Sequence, residues 1–140
     1  MKLVSQALVE KVSLKKWDES GDTNVWIKQA RFSENSRMRS LFSQTKIQYM
    51  PDESQIEIHD WPASERIILM CWLTFEDADI QTEDPADKSK HVPLFKKGMS
   101  ESEFRTAFAV LDDTLVNDWM QAVLKMNPHW SWFKEEMEGN

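Results

Sequence analysis

The sequence contains little of the material from which loop-rich or disulfide-stabilised folds are made. Among 140 residues there are three glycines, five prolines and one cysteine. Loop-dominated folds and β-sandwiches need many turn residues, so this composition favours helices beside a modest number of strands. Because a lone cysteine, Cys71, cannot form an intramolecular disulfide, a reducing compartment is expected, and we predict a cytoplasmic protein.

Long hydrophobic runs are also missing. The longest one, residues 67–73, is far shorter than the roughly 20 residues that span a bilayer. The N-terminus, Met1-Lys2-Leu3-Val4-Ser5, becomes polar too soon for the apolar stretch of a secretory signal. We therefore expect neither a membrane partner nor secretion.

Basic residues are outnumbered, with 17 Lys and Arg against 24 Asp and Glu and a net charge of −7 at pH 7. Phosphate backbones are bound mainly through Lys and Arg, so nucleic acid is not an expected partner. With 41% hydrophobic and 29% charged residues, the composition is that of a globular chain with one core. We predict a single α+β domain over residues 1–133 and a disordered acidic tail over residues 134–140.

Alternating patterns in the N-terminal half predict two β-hairpins. Residues 8–17 and 24–30 alternate on either side of a polar turn, and residues 46–50 and 55–59 alternate around Pro-Asp-Glu-Ser. Between the hairpins, residues 33–44 change to a helical period.

Helical patterns dominate the remainder of the chain. Residues 61–75 open with Trp-Pro and continue into an apolar run that is typical of a central helix. Ser100 and Glu103 have the spacing of a capping box, and Asp112 or Asp113 can cap a further helix that ends near Asn127-Pro128. The predicted fold is α+β, with N-terminal β-hairpins packed against a C-terminal set of three to four helices.

Residues 76–91 are acidic and polar and have no apolar period. This pattern predicts a long mobile loop, which could order on meeting a basic surface. The apolar residues 92–95 follow, and we expect them to return to the core before Gly98.

Candidate catalytic and metal-binding groups are sparse. The three histidines, His59, His91 and His129, are far apart and lack the spacing of a metal motif. Cys71 lies between apolar neighbours, where burial raises a thiol pKa. Without a Gly-rich phosphate loop or a nucleophile elbow, the sequence predicts no catalytic residue, no cofactor and no metal, and therefore no enzyme.

The large aromatic side chains after the last predicted helix follow neither a helical nor a strand period. Trp130, Trp132 and Phe133 either fold back onto the core or anchor a partner, because aromatic anchors carry much of the binding energy at interfaces. The candidate protein-interface residues are Trp119, Trp130, Trp132, Phe133, Leu94 and Phe95.

One layout along the chain resembles that of a known family. It consists of Ser-Glu-Arg-Ile-Ile-Leu at residues 64–69, the predicted acidic loop at 76–87, Pro-Leu-Phe at 93–95, and helices over 104–128 that end in Asn-Pro. This layout is similar to that of the tail assembly chaperones of long-tailed bacteriophages. The resemblance implies a protein of the host cytoplasm that coats the tape-measure protein and recruits tail-tube subunits, without a catalytic motif.

Two other functions remain open at this point. One is a small structural subunit of a phage particle, at the neck or at tail completion. The other is an acidic inhibitor of a host protein with a basic surface, since carboxylates can occupy a basic groove. Self-association is compatible with all three.

Overall fold

The structure, a computed structural model, describes residues 8–14, 23–43, 45–59 and 63–131, without the side chains of 42–48 and 56–59. The predicted acidic tail at 134–140 lies outside these ranges. The described elements follow in the order β1 (Val9–Ser13), β2 (Asn24–Lys28), α1 (Phe32–Ser43), β3 (Thr45–Tyr49), β4 (Gln55–His59), α2 (Ala63–Leu73), β5 (Phe75–Ala78), β6 (Gln81–Asp84), β7 (Asp87–Pro93), α3 (Glu101–Phe108), α4 (Asp113–Met126) and a short 3-10 helix, Pro128–Trp130. The predicted α+β fold class is confirmed.

An antiparallel sheet of β1, β2 and β5 forms one side of the core. Its central strand alternates as a half-buried strand must, because Val25 and Ile27 are fully buried while Trp26 is only half-buried. Both predicted hairpins are confirmed, β1 with β2 and β3 with β4.

The prediction of a mobile loop over residues 76–91 is wrong. Strand β5 pairs with β2, and β6 pairs with β7 as a further antiparallel hairpin. β5 was missed because only its ends, Phe75 and Ala78, are buried. Nearly all side chains of β6 and β7 are solvent-exposed, so these strands need no apolar alternation.

Helices α2, α3 and α4 supply the other side of the core. The central position predicted for the 67–73 run agrees with Leu69, Met70 and Cys71, which are buried on α2. Five aromatic side chains from four parts of the chain meet in the core, with ring centroids of the contacting pairs 5.2–6.3 Å apart, the separation at which aromatic pairs attract one another. They are Phe75, Phe95, Phe104, Phe108 and Trp119.

Hydrogen bonds to two asparagines join the end of α4 to the region around the start of α1. The fully buried Asn127 accepts a hydrogen bond at Oδ1 from the N–H of Ala30 (2.7 Å) and donates one to the carbonyl of Val123 (3.1 Å). Trp130 Nε1 donates to Asn35 Oδ1 (2.9 Å). Of the two alternatives for Trp130, folding back onto the core is therefore the correct one.

Replacing Phe104 by alanine tests the aromatic cluster. Phe104 is fully buried, so Phe104→Ala should lower the free energy of unfolding by about 3–5 kcal/mol. The matched control is Phe32→Ala, because Phe32 is 80% exposed and its loss should change stability by less than about 0.5 kcal/mol. Urea unfolding followed by circular dichroism measures both, and equal effects would contradict this core.

Candidate protein-binding groove

The structure separates the predicted interface residues into interior, surface and undescribed positions. Trp119 and Trp130 are at most 3% exposed, so the prediction that they are interface residues is wrong. Phe95 is 2% exposed and belongs to the core, although it also lines the base of the groove described below. All three were selected as large aromatics, but the space between α4, α3 and the sheet requires large rings to fill it. Leu94 is half-buried at the surface. Trp132 and Phe133 lie outside the described residues.

The start of helix α3 is fixed by the predicted capping box, which the structure confirms. Ser100 Oγ accepts the N–H of Glu103 (3.1 Å), and Glu103 Oε1 accepts the N–H of Ser100 (3.2 Å). These bonds satisfy two amide groups that have no partner within the helix. Because the cap fixes the first turn of α3, it also fixes which residues of the helix face outward.

Helix α3 has one buried and one exposed face. Phe104 and Phe108 point into the core, whereas Ser102 and Thr106 are exposed on the other side. Val110, just beyond the helix, continues that exposed row at a spacing of four residues and is 69% exposed.

A groove of about 770 Å³ runs between the outer face of α3 and the segment that follows β7. The α3 wall carries small side chains and Glu103, and the other wall is apolar except for Lys96. The lining residues are Pro93, Leu94, Phe95, Lys96, Met99, Ser102, Glu103, Thr106, Ala107 and Val110. The return of residues 92–95 to the core, which the sequence predicted, places Phe95 at the base of this groove.

One ion pair joins the two walls. Lys96 Nζ lies 3.0 Å from Glu103 Oε2, and the hydrogen bond from Lys96 is the main reason why the pKa of Glu103 lies below its ordinary value. Both side chains are at least half exposed, so the pair adds little to stability and can separate when another molecule enters.

Other ion pairs hold α3 against its neighbours. Arg105 Nη1 lies 2.5 Å from Glu65 Oε2 on α2, and Arg37 Nη2 of α1 lies 2.7 Å from Glu101 Oε2. These contacts, with the buried rings, attach α3 to the body of the protein. The groove wall is therefore preformed, which lowers the entropy lost when a partner binds.

Polar chemistry of the kind that enzymes use is sparse in the described part of the chain. Cys71, the predicted buried thiol, has no exposed surface, and burial raises its pKa far above the ordinary value. Within the described ranges, no three His, Cys, Asp or Glu side chains are grouped so that they could hold a metal ion. No described helix is both long and apolar enough to cross a bilayer.

Comparison with other proteins gives no relative to guide the assignment. No protein-family model matches this chain, and neither does any curated protein or solved structure. The groove residues Ser102, Thr106 and Val110 were not identified from the sequence. Their spacing of four was visible, but which segment faces them depends on where residues 93–99 lie.

The capping box provides a test of how α3 is held. Ser100→Ala removes the acceptor for the Glu103 amide and should cost about 1 kcal/mol of stability. Ser102→Ala is the matched control, because this serine is exposed on the same helix and should change stability by less than about 0.5 kcal/mol. Thermal unfolding compares the two, and an unaffected Ser100→Ala variant would contradict the cap.

Because the Cys71 thiol is buried, we predict that it is modified slowly in the native protein. In the native protein, Cys71 should react with a thiol reagent at least about a hundredfold more slowly than in urea, because only transient opening exposes it. Absorbance of the released chromophore measures both rates. Labelling of the native protein as fast as labelling in urea would contradict the burial of this thiol.

Proposed function

We propose that this chain is a non-catalytic protein-binding protein that holds an apolar segment of a partner in the groove beside α3. The observation that carries this proposal is the groove itself. Its base is formed by Phe95, Met99 and Ala107, and Leu94 and Val110 add apolar surface that solvent reaches. Exposed apolar surface within a concave site is typical of interaction sites.

The shape of the groove suits a helical segment. Ser102, Thr106 and Val110 form a row of small or medium side chains at a spacing of four residues. Such a row lets the side chains of a second helix pack between it and the opposite wall. An amphipathic helix would place one apolar row against Phe95 and Ala107 and leave its polar side near Lys96 and Glu103.

The biological setting that we propose is the assembly of a phage tail. Apart from residues 76–87, most of which form strands where the family layout has a loop, residues 64–128 resemble the tail assembly chaperones, whose partner, the tape-measure protein, is a long helical chain. A net charge of −7 keeps such a chaperone soluble, while the groove covers the apolar helix surface of its partner. Recruitment of tail-tube subunits would use a different surface.

The two competing functions predict different behaviour. An acidic inhibitor needs a surface of one sign, yet the β6–β7 hairpin carries Lys88 and Lys90 beside Asp87. This mixture of charges favours the chaperone over the inhibitor. A structural subunit would remain in finished phage particles, whereas a chaperone leaves, so mass spectrometry of purified particles separates these two.

Blocking the groove should abolish partner binding. Val110→Glu introduces a charge into the apolar site, and Thr106→Tyr fills it; both positions are exposed, so folding should be retained. We expect each variant to weaken binding of a purified tape-measure protein from the same genome at least about tenfold, as measured by calorimetry.

The control is Phe32→Glu, which introduces the same charge at an exposed apolar residue of α1 that does not line the groove. Its affinity should equal that of the unmodified chain. If Phe32→Glu and Val110→Glu weaken binding equally, the effect is one of charge and the groove is not the site.

A further inference from the structure

Strand β1 lies at the edge of its sheet in the described part of the chain. Within the described ranges, it pairs only with β2. Its residues are largely solvent-exposed, including Val9 at 41% and the preceding Leu8 at 60%. An edge strand with exposed apolar residues is a site at which another chain can add a strand.

Hydrogen bonds at the two ends of β1 show which backbone groups face outward. Leu14 donates to the carbonyl of Thr23 (2.8 Å), and the carbonyl of Leu8 accepts from Gln29 (2.7 Å). Because bonded pairs alternate along an antiparallel ladder, every second residue from Leu8 to Leu14 faces β2. The backbone N–H and C=O groups of Val9, Lys11 and Ser13 therefore face away from the sheet.

Strand β7 shows how an edge is closed to such pairing. The N–H of Ser89 is taken by Asp87 Oδ1 (3.0 Å), and Pro93 has no N–H to offer. In β1, by contrast, Val9, Lys11 and Ser13 all retain an outward N–H, and the strand contains neither proline nor a bulge in its pairing with β2.

The charges on β1 determine which occupant fits. If the β1 strands of two copies pair about a twofold axis perpendicular to the sheet, the same face of both strands points to the same side. At the centre of such a pair, a residue lies opposite the same residue of the other copy. Pairing over the whole strand is centred on Lys11 and opposes two lysines; moving the centre by one residue opposes two glutamates or two valines and pairs only three residues of the strand. Like charges that are directly opposite destabilise a strand pair, so a second copy fits poorly along the full length of β1.

We propose that the free edge of β1 binds an extended segment of another protein, which adds as an antiparallel strand. The segment carries an acidic residue opposite Lys11 and a basic residue opposite Glu10, flanked by apolar residues opposite Val9 and Val12. Main-chain hydrogen bonds supply the affinity, and the two charge pairs select the register. This site is separate from the groove beside α3.

Two capped peptides of the same composition test the charge selection. Thr-Val-Glu-Lys-Val-Thr places Glu opposite Lys11, and Thr-Val-Lys-Glu-Val-Thr reverses both charges. In an NMR titration of the full chain, the first should bind about tenfold more tightly and shift the amide signals of Val9, Lys11 and Ser13. The double variant Glu10→Lys with Lys11→Glu keeps the net charge and should reverse the preference.

A backbone variant tests the hydrogen bonds directly. Ser13→Pro removes an outward N–H without removing a bond to β2, and it should weaken binding of the first peptide about fivefold relative to Ser13→Ala. The proposal is overturned if neither peptide binds, if both bind equally, or if the charge-swapped variant keeps the original preference. It is equally overturned if the chain forms a dimer that Ser13→Pro dissociates, because the edge then belongs to a second copy. Binding of the tape-measure protein to Val110→Glu reports separately on the groove.

Discussion

Burial of Trp119 against four phenylalanine rings is the interaction on which the rest of the structure depends. The rings come from β5, from the segment after β7 and from α3, so one cluster joins elements that are distant in the sequence. Trp119 Nε1 is buried without a hydrogen-bond partner in the described part of the chain, which costs free energy. The ring contacts of five large side chains outweigh this cost.

The groove is a consequence of that cluster. Phe104 and Phe108 direct one face of α3 into the core, which leaves the small residues of its other face at the surface. Phe95 belongs to the same cluster and brings the segment after β7 alongside α3. The residues that stabilise the fold therefore also set the distance between the two groove walls.

The two surfaces that we propose use different chemistry. The groove offers apolar side-chain contacts on a preformed wall, whereas the edge of β1 offers backbone hydrogen bonds whose register is selected by Glu10 and Lys11. A helix and an extended segment could therefore bind at the same time. A protein that brings partners together during assembly would need two such sites.

The sequence by itself determined what depends on local patterns: both hairpins, the helices, the capping box at Ser100 and the burial of Cys71. Predictions from the sequence were wrong where tertiary contacts determine the structure. Most of residues 76–91 form strands, because β5 can pair with the edge of β2 and because backbone hydrogen bonds hold the exposed β6–β7 hairpin together. Trp119, Phe95 and Trp130 are core residues because the packed elements leave a space that only large rings fill, and no local pattern encodes that space.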